Sequence, residues 1–386
     1  MSRIPDVRRM IAELVALPSV SSVDPALDQG NLAVIECLAE WCEALGFAVD
    51  IRRLPGDPGK ANLVATLGRG EGGLVLAGHT DTVPFDADRW ASDPFTLSER
   101  QGRLHGLGTS DMKAFLALAL EAVRTLEAGQ LDAPLVLLAT ADEESGMEGA
   151  KALAGSGPVA GRQAIIGEPT GLHPIRVHKG MMMEAVRVTG RSGHSSDPSL
   201  GINALEAMHG VIGELMTWRD ELGRRYRDER FAVPVPTLNL GHIHGGDNPN
   251  RICGEVVLHY DLRPLPGMSP EALRAEVETR LRGVMAERPG ELTLSSLFPG
   301  QPPMETPETA GIVAAARALT GEEPGAVAFG TEGPWLRDLG MDVIILGPGD
   351  IAQAHQPDEF IALDRLAPTV TLLQRFIHRF CMEGAA

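Results

Sequence analysis

A chain of 386 residues, 44% hydrophobic and 22% charged, is longer than one ordinary core and too apolar for disorder, so two domains are expected. Its formal net charge of −18 disfavours nucleic acid and anionic membrane as partners and favours cations, both metals and amines. Four cysteines (Cys37, Cys42, Cys253, Cys381) without a C-x-x-C pair read as free thiols of a reducing, cytoplasmic compartment.

In chain order, the start reads as an amphipathic helix near 5–17, broken by charges, which is not expected to act as a signal peptide. No segment approaches the roughly 18 apolar residues of a membrane span. A second helix is expected near 29–45. An apolar run from Gly73 to Gly78 then ends in His79 and Asp81. A glycine-rich turn carrying Asp111 opens a helix expected from Met112 to Ala128. The run from Pro134 to Ala141 ends in Asp142, Glu143 and Glu144, and the run from Ala164 to Gly167 ends in Glu168 before Pro169. Short apolar runs bounded by Gly and Pro fit strands of a mostly parallel sheet buried on both faces. Alternation of such strands with helices marks an α/β layer fold.

The pattern changes after Lys179. An alternating strand from Met182 leads to a helix expected from Gly201 to Leu222, then to strands near Thr237 and Glu255. A helix from Ser269 to about Glu287 and a strand from Glu291 complete a β-α-β-β-α-β order, the ferredoxin-like split pattern. Beyond about Pro299 the α/β character resumes, with a helix near 307–320, a strand at Ala326, an apolar run from Asp342 that leads to His355, and a final helix from Leu363 to Phe380. The expected domains are therefore 1–176 and 298–386 as one catalytic domain, with 177–297 inserted into it.

Four apolar runs each deliver a carboxylate or histidine, and parallel sheets bind ligands beyond the carboxyl ends of their strands. His79 and Asp81 are two apart on extended chain, so both leave the same face, one able to bind a metal and the other to orient its ring. Asp111 alone would read as a helix cap, yet a carboxylate can also bridge two cations. Glu143 and Glu144 are adjacent and point to opposite sides, which excludes identical roles. His194 sits in a glycine-flanked turn, where a structural role is the commoner one. His242 and His244 read as hairpin surface.

The stretches Gly78–Asp86 (GHTDTVPFD), Gly106–Phe115 (GLGTSDMKAF), Thr140–Ser145 (TADEES), Ile166–Thr170 (IGEPT), Ser192–Pro198 (SGHSSDP), Pro236–Asp247 (PTLNLGHIHGGD), Asp261–Met268 (DLRPLPGM) and Gln353–Phe360 (QAHQPDEF) together resemble the dinuclear-zinc aminoacylase/carboxypeptidase family. The shorter pieces at Asn250, Thr331 and Leu346 match as well, so the resemblance spans most of the chain in order and spacing. It implies a zinc-peptidase-like α/β fold, a mostly parallel sheet sandwiched by helices, with the inserted ferredoxin-like α+β domain as lid and dimerisation surface.

The resemblance further implies two divalent metal ions, zinc first, with cobalt or manganese suiting the same ligands. One ion would be held by His79, Asp111 and Glu168, the other by Asp111, Glu144 and His355, with Asp111 bridging. Asp81 would orient His79, and Glu143 would be the general base. His194 would stabilise the oxyanion, in this family typically from a partner subunit of a homodimer. Asn250, Arg263, Gly330 and Thr331 would bind a small N-acyl amino acid. The longer segments imply N2-acetyl-L-ornithine as that substrate, and Glu332 is the carboxylate expected to read its side-chain ammonium. Ser110 and Ala114 depart from the small residues usual beside the bridging aspartate. A desuccinylase or dipeptidase activity, or a non-catalytic binding protein on the same fold, are the alternative readings.

Overall fold

The computed structural model describes residues 4–383, so the outermost residues of the first and last expected segments, 1–3 and 384–386, lie outside the described residues. Two compact units form: Met1–Arg176 with Thr306–Gly325 and Thr331–Ala386, and Val177–Glu305 with Ala326–Gly330. Among the described residues no helix is long and apolar enough to cross a membrane.

In the first unit, four parallel strands lie side by side in the order Leu135–Thr140, Leu74–His79, Gln163–Ile166 and Asp342–Ile345. These are the four apolar runs that end in carboxylate or histidine. Leu74–His79 and Leu135–Thr140 are buried at every position, because helices cover both faces and leave no side for polar residues. Antiparallel strands extend the sheet. Asp57–Leu67 pairs with Leu135–Thr140 and then with Ala48–Leu54, while Ile175–His178 joins Asp342–Ile345 through Ile175. The sheet is thus parallel in the middle, as expected, and antiparallel at its margins.

Helix Lys113–Val123 is buried along nearly its whole length, which an all-apolar helix requires. It stops five residues short of the expected Ala128; a separate 3-10 turn takes up Ala128–Gln130. Its Phe115 ring lies where a Cβ on Gly167 would stand, 2.0 Å from Cγ, so only glycine lets the strand end at Glu168 pass that close.

The second unit is a four-stranded antiparallel sheet in the order Thr237–Gly245, Glu255–Arg263, Met182–Thr189, Glu291–Ser296. Counted along the chain these are its second, third, first and fourth strands, the ferredoxin-like arrangement. Helices Ala204–Arg225 and Pro270–Met285 pack on it and bury Trp218, Leu215, Val277 and Leu281. Asn203 and Ser269 set the starts of these helices by accepting hydrogen bonds from the N–H groups of Leu205 and Ala272. His242 and His244 lie on an exposed stretch of strand, the His242 ring 4.9 Å from that of His259.

The division between units falls at Glu305 rather than after Leu297. Gln301 exchanges backbone hydrogen bonds with Met181, and Met304–Glu305 pairs with His178 and Val177, so residues 298–305 return along the start of the second unit.

Candidate metal centre

Because the four parallel strands are neighbours and point the same way, their carboxyl ends share one edge of the sheet. His79 closes its strand there, 1% exposed. Its Nε2 lies 3.1 Å from Asp111 Oδ1 and 3.7 Å from Glu168 Oε1. Its Nδ1 is 3.0 Å from the backbone oxygen of Asp81 and 3.6 Å from Asp81 Oδ1, so Asp81 orients the ring mainly through its carbonyl. The other Asp81 oxygen accepts from the N–H of Glu144 at 3.0 Å. His355 Nε2 lies 3.0 Å from Glu144 Oε2 and 3.5 Å from Asp111 Oδ2. Asp111 therefore turns one oxygen toward each histidine.

These groups fit divalent cations on grounds of charge. The ion pairs of Asp81, Asp111, Glu144 and Glu168 are all to histidine among the described residues. Buried oxygens of Asp81 and Glu168 have no hydrogen-bond donor, a costly state that a cation relieves. Ligand atoms of His79, Glu143 and Glu168, and of His79, Asp111 and Glu144, lie within 4.8 Å of one another. Glu143, expected as a base, thus stands close enough to serve as a ligand.

Burial pushes Glu143 well above the usual carboxylate range; His79 opposes this, while Glu144, Asp111 and Asp81 add to it. Glu144 and Glu168 are raised by burial and by Asp111. Burial would push His79 down, but Asp111, Asp81 and Glu168 hold it well above its ordinary value. Hydrogen bonds to Asp111 and Glu144 push His355 up to about 10. In the metal-free protein these raised imidazoles stabilise the fold below the ordinary histidine pKa of about 6.5, and for His355 that contribution is lost as pH rises through about 10. A cation needs neutral imidazoles and ionised carboxylates, so its binding should expel protons and tighten with pH. Calorimetric titrations in buffers of different ionisation enthalpy check this; proton-neutral uptake would contradict it.

The Asp142–Glu144 segment is held by a network that the sequence reading missed. Asp142 takes a left-handed conformation (φ 58°), which strains a non-glycine residue. Lys60 Nζ donates to Asp142 Oδ1 at 2.7 Å and to both Asp28 oxygens, and Ser21 Oγ donates to Asp142 Oδ1 at 2.8 Å. The available signal was the lone lysine of strand Asp57–Leu67, just before its most apolar stretch, a charge that must find a partner.

Thr331 and Glu332 are both buried. Thr331 is fully buried and its hydroxyl accepts from the N–H of Gly333. Glu332 is 1% exposed, accepts from Thr140 Oγ1 at 2.5 Å, and is raised by burial to about 7. Its side chain turns into the sheet because it stands at the start of helix Gly333–Asp338, over the end of Leu135–Thr140.

His194, Asn250, Arg263 and Gly330 belong to the second unit. His194 is exposed, its Nδ1 2.7 Å from Ser196 Oγ, and the Ser195 N–H donates to the Asn250 carbonyl, so the two predicted residues share one loop cluster. Arg263 Nε donates to Asp261 Oδ2 at 2.9 Å. A Cβ on Gly330 would fall 1.8 Å from Gln301 Oε1, so a larger residue there would require the Gln301 side chain to move.

The chain is 49% identical over 382 residues to the acetylornithine deacetylase of Edwardsiella ictaluri (strain 93-146), covering 99% of this chain and 100% of that protein. It is 48% identical to the acetylornithine deacetylase of Proteus mirabilis (strain HI4320), covering 100% of this chain and 99% of that protein. Its fold is similar to that of an M20 family metallo-carboxypeptidase, Sso-CP2, from Sulfolobus solfataricus, with a TM-score of 0.76 at 19% identity over 97% of this chain and 99% of that one. Residues 75–379 match the family described as peptidase family M20/M25/M40, and the chain belongs to that family.

Proposed function

We propose that this chain is a metal-dependent hydrolase that converts N2-acetyl-L-ornithine and water to L-ornithine and acetate in arginine biosynthesis. The observation that carries the reading is Asp111, with Oδ1 3.1 Å from His79 and Oδ2 3.5 Å from His355, the disposition a bridging carboxylate needs. The full-length similarity to acetylornithine deacetylases supports the choice of substrate. The free cysteines and acidic charge fit a cytoplasmic setting.

His79, Asp111 and Glu168 would hold one divalent cation, and Asp111, Glu144 and His355 a second, with zinc preferred and cobalt or manganese suited to the same N/O donors. Such ions, when bound, lower the pKa of a water toward neutrality and polarise the acyl carbonyl. Glu143 accepts the water's proton and returns it to the departing amine, as one group acting first as base and then as acid. Asp81 fixes the His79 ring. His194, from the partner of a homodimer, donates to the developing oxyanion. Asn250 and Gly330 line the substrate's place in the second unit. Arg263 binds the α-carboxylate: Asp261 engages Nε, and the Nη pair forms the edge that a carboxylate takes bidentately.

The test is amine release from acetyl-, succinyl- and formyl-amino acids by the metal-loaded protein. Acetylornithine should be turned over fastest; a succinyl substrate leading the series would overturn the substrate assignment. Arg263→Met should raise KM for acetylornithine about 10–100-fold, the loss of a charge-assisted hydrogen bond of roughly 1.5–3 kcal/mol. Metal content should stay unchanged. Decarboxylated acetylornithine should show little further penalty in that variant, and an unchanged KM would sink the role.

A further inference from the structure

We infer that Glu359 is a positioning residue for the metal centre, holding the bridging Asp111 in register with His355. The inference rests on the metal reading proposed above. Glu359 stands four residues beyond His355 with its side chain buried, 1% exposed. Its Oε2 accepts from the N–H of Gly108 at 3.0 Å, and its Oε1 from the N–H groups of Ser110 at 2.6 Å and Asp111 at 3.0 Å. The same two segments are joined again by Ser110, whose Oγ donates to the Asp350 carbonyl at 3.1 Å and accepts from the Asp350 N–H at 3.0 Å. The Gly106 N–H also donates to the Glu359 carbonyl.

Asp111 has a demanding task, since its two oxygens must face two histidines at once, His79 at a strand end and His355 on a loop. Its backbone N–H is bound by the carboxylate that the His355 segment carries, so one anchor sets the spacing between the bridge and one of its histidines. Three donors require a group that only accepts, on both oxygens. A glutamine would turn its NH2 against an N–H and lose at least one of these bonds.

The test is titration of metal-free protein with cobalt(II) chloride, following heat and visible absorption. Wild type should take up two ions per chain. Glu359→Gln, with circular dichroism like wild type, should bind them roughly 10–100-fold more weakly, the range for groups that hold metal ligands in place. Equal affinity in a folded variant overturns the proposal. If the variant does not fold, amide exchange in metal-free wild type decides: slow exchange at Gly108, Ser110 and Asp111 supports the brace, and fast exchange there overturns it. Absence of cobalt uptake by wild type would instead remove the metal reading itself, and this proposal with it.

Discussion

Glu143→Ala should leave the metal content of the protein at the wild-type level while turnover falls by on the order of 10²–10⁴, the share of rate that a positioned base supplies. The geometry makes this a sharp test, because two roles compete for the residue. Glu144 Oε2 lies 3.0 Å from His355 and its N–H is tied to Asp81, so its side is committed. Glu143 leaves the backbone on the other side, with a carboxyl oxygen inside the cluster that includes His79 and Glu168. Burial and repulsion from Glu144 and Asp111 raise its carboxyl, the direction that favours proton transfer. Loss of one ion in Glu143→Ala would make Glu143 a ligand and move the proton transfer elsewhere. Retained ions with retained turnover would remove it from both roles.

Much of this site was legible because of a constraint on parallel sheets. A strand covered on both faces has no room for polar residues, so polar groups appear abruptly at its end, and each of the four apolar runs ends with one. The same constraint makes the runs neighbours and brings His79, Glu143, Glu144 and Glu168 to one edge. Asp111 lies on a loop, and its bridging place came from the family resemblance; His355 follows the fourth run only after a loop. Glu359 was missed for a related reason. It binds backbone N–H groups some 250 residues away, and such donors carry no residue-type signature in a sequence. The bond that Glu332 accepts from the Thr140 hydroxyl was not legible either, because a short loop motif does not say which way its side chains turn. The end of the second unit was set too early because the pairing of Met304–Glu305 with Val177 and His178 spans the whole inserted segment.

Mixing His194→Ala with Glu143→Ala, each inactive alone, should restore activity if His194 serves the partner's site. The developing oxyanion of amide hydrolysis needs a donor in a water-poor site, where one hydrogen bond is worth far more than in bulk solvent. Within its own unit His194 is exposed, and its Nδ1 is engaged with Ser196 Oγ, which leaves Nε2 as the ring nitrogen to meet a substrate oxygen. A homodimer would supply the surroundings that such a donor requires. Random exchange between the two variants yields about half mixed dimers, each with one intact site of two, hence about a quarter of wild-type activity. Neither parent can contribute: every site of one lacks the base, and every site of the other lacks the donor. Recovery must also track exchange, rising with incubation time and vanishing when subunits are cross-linked before mixing. Exchange shown by mass spectrometry without recovery would place His194 in its own chain's site or outside catalysis.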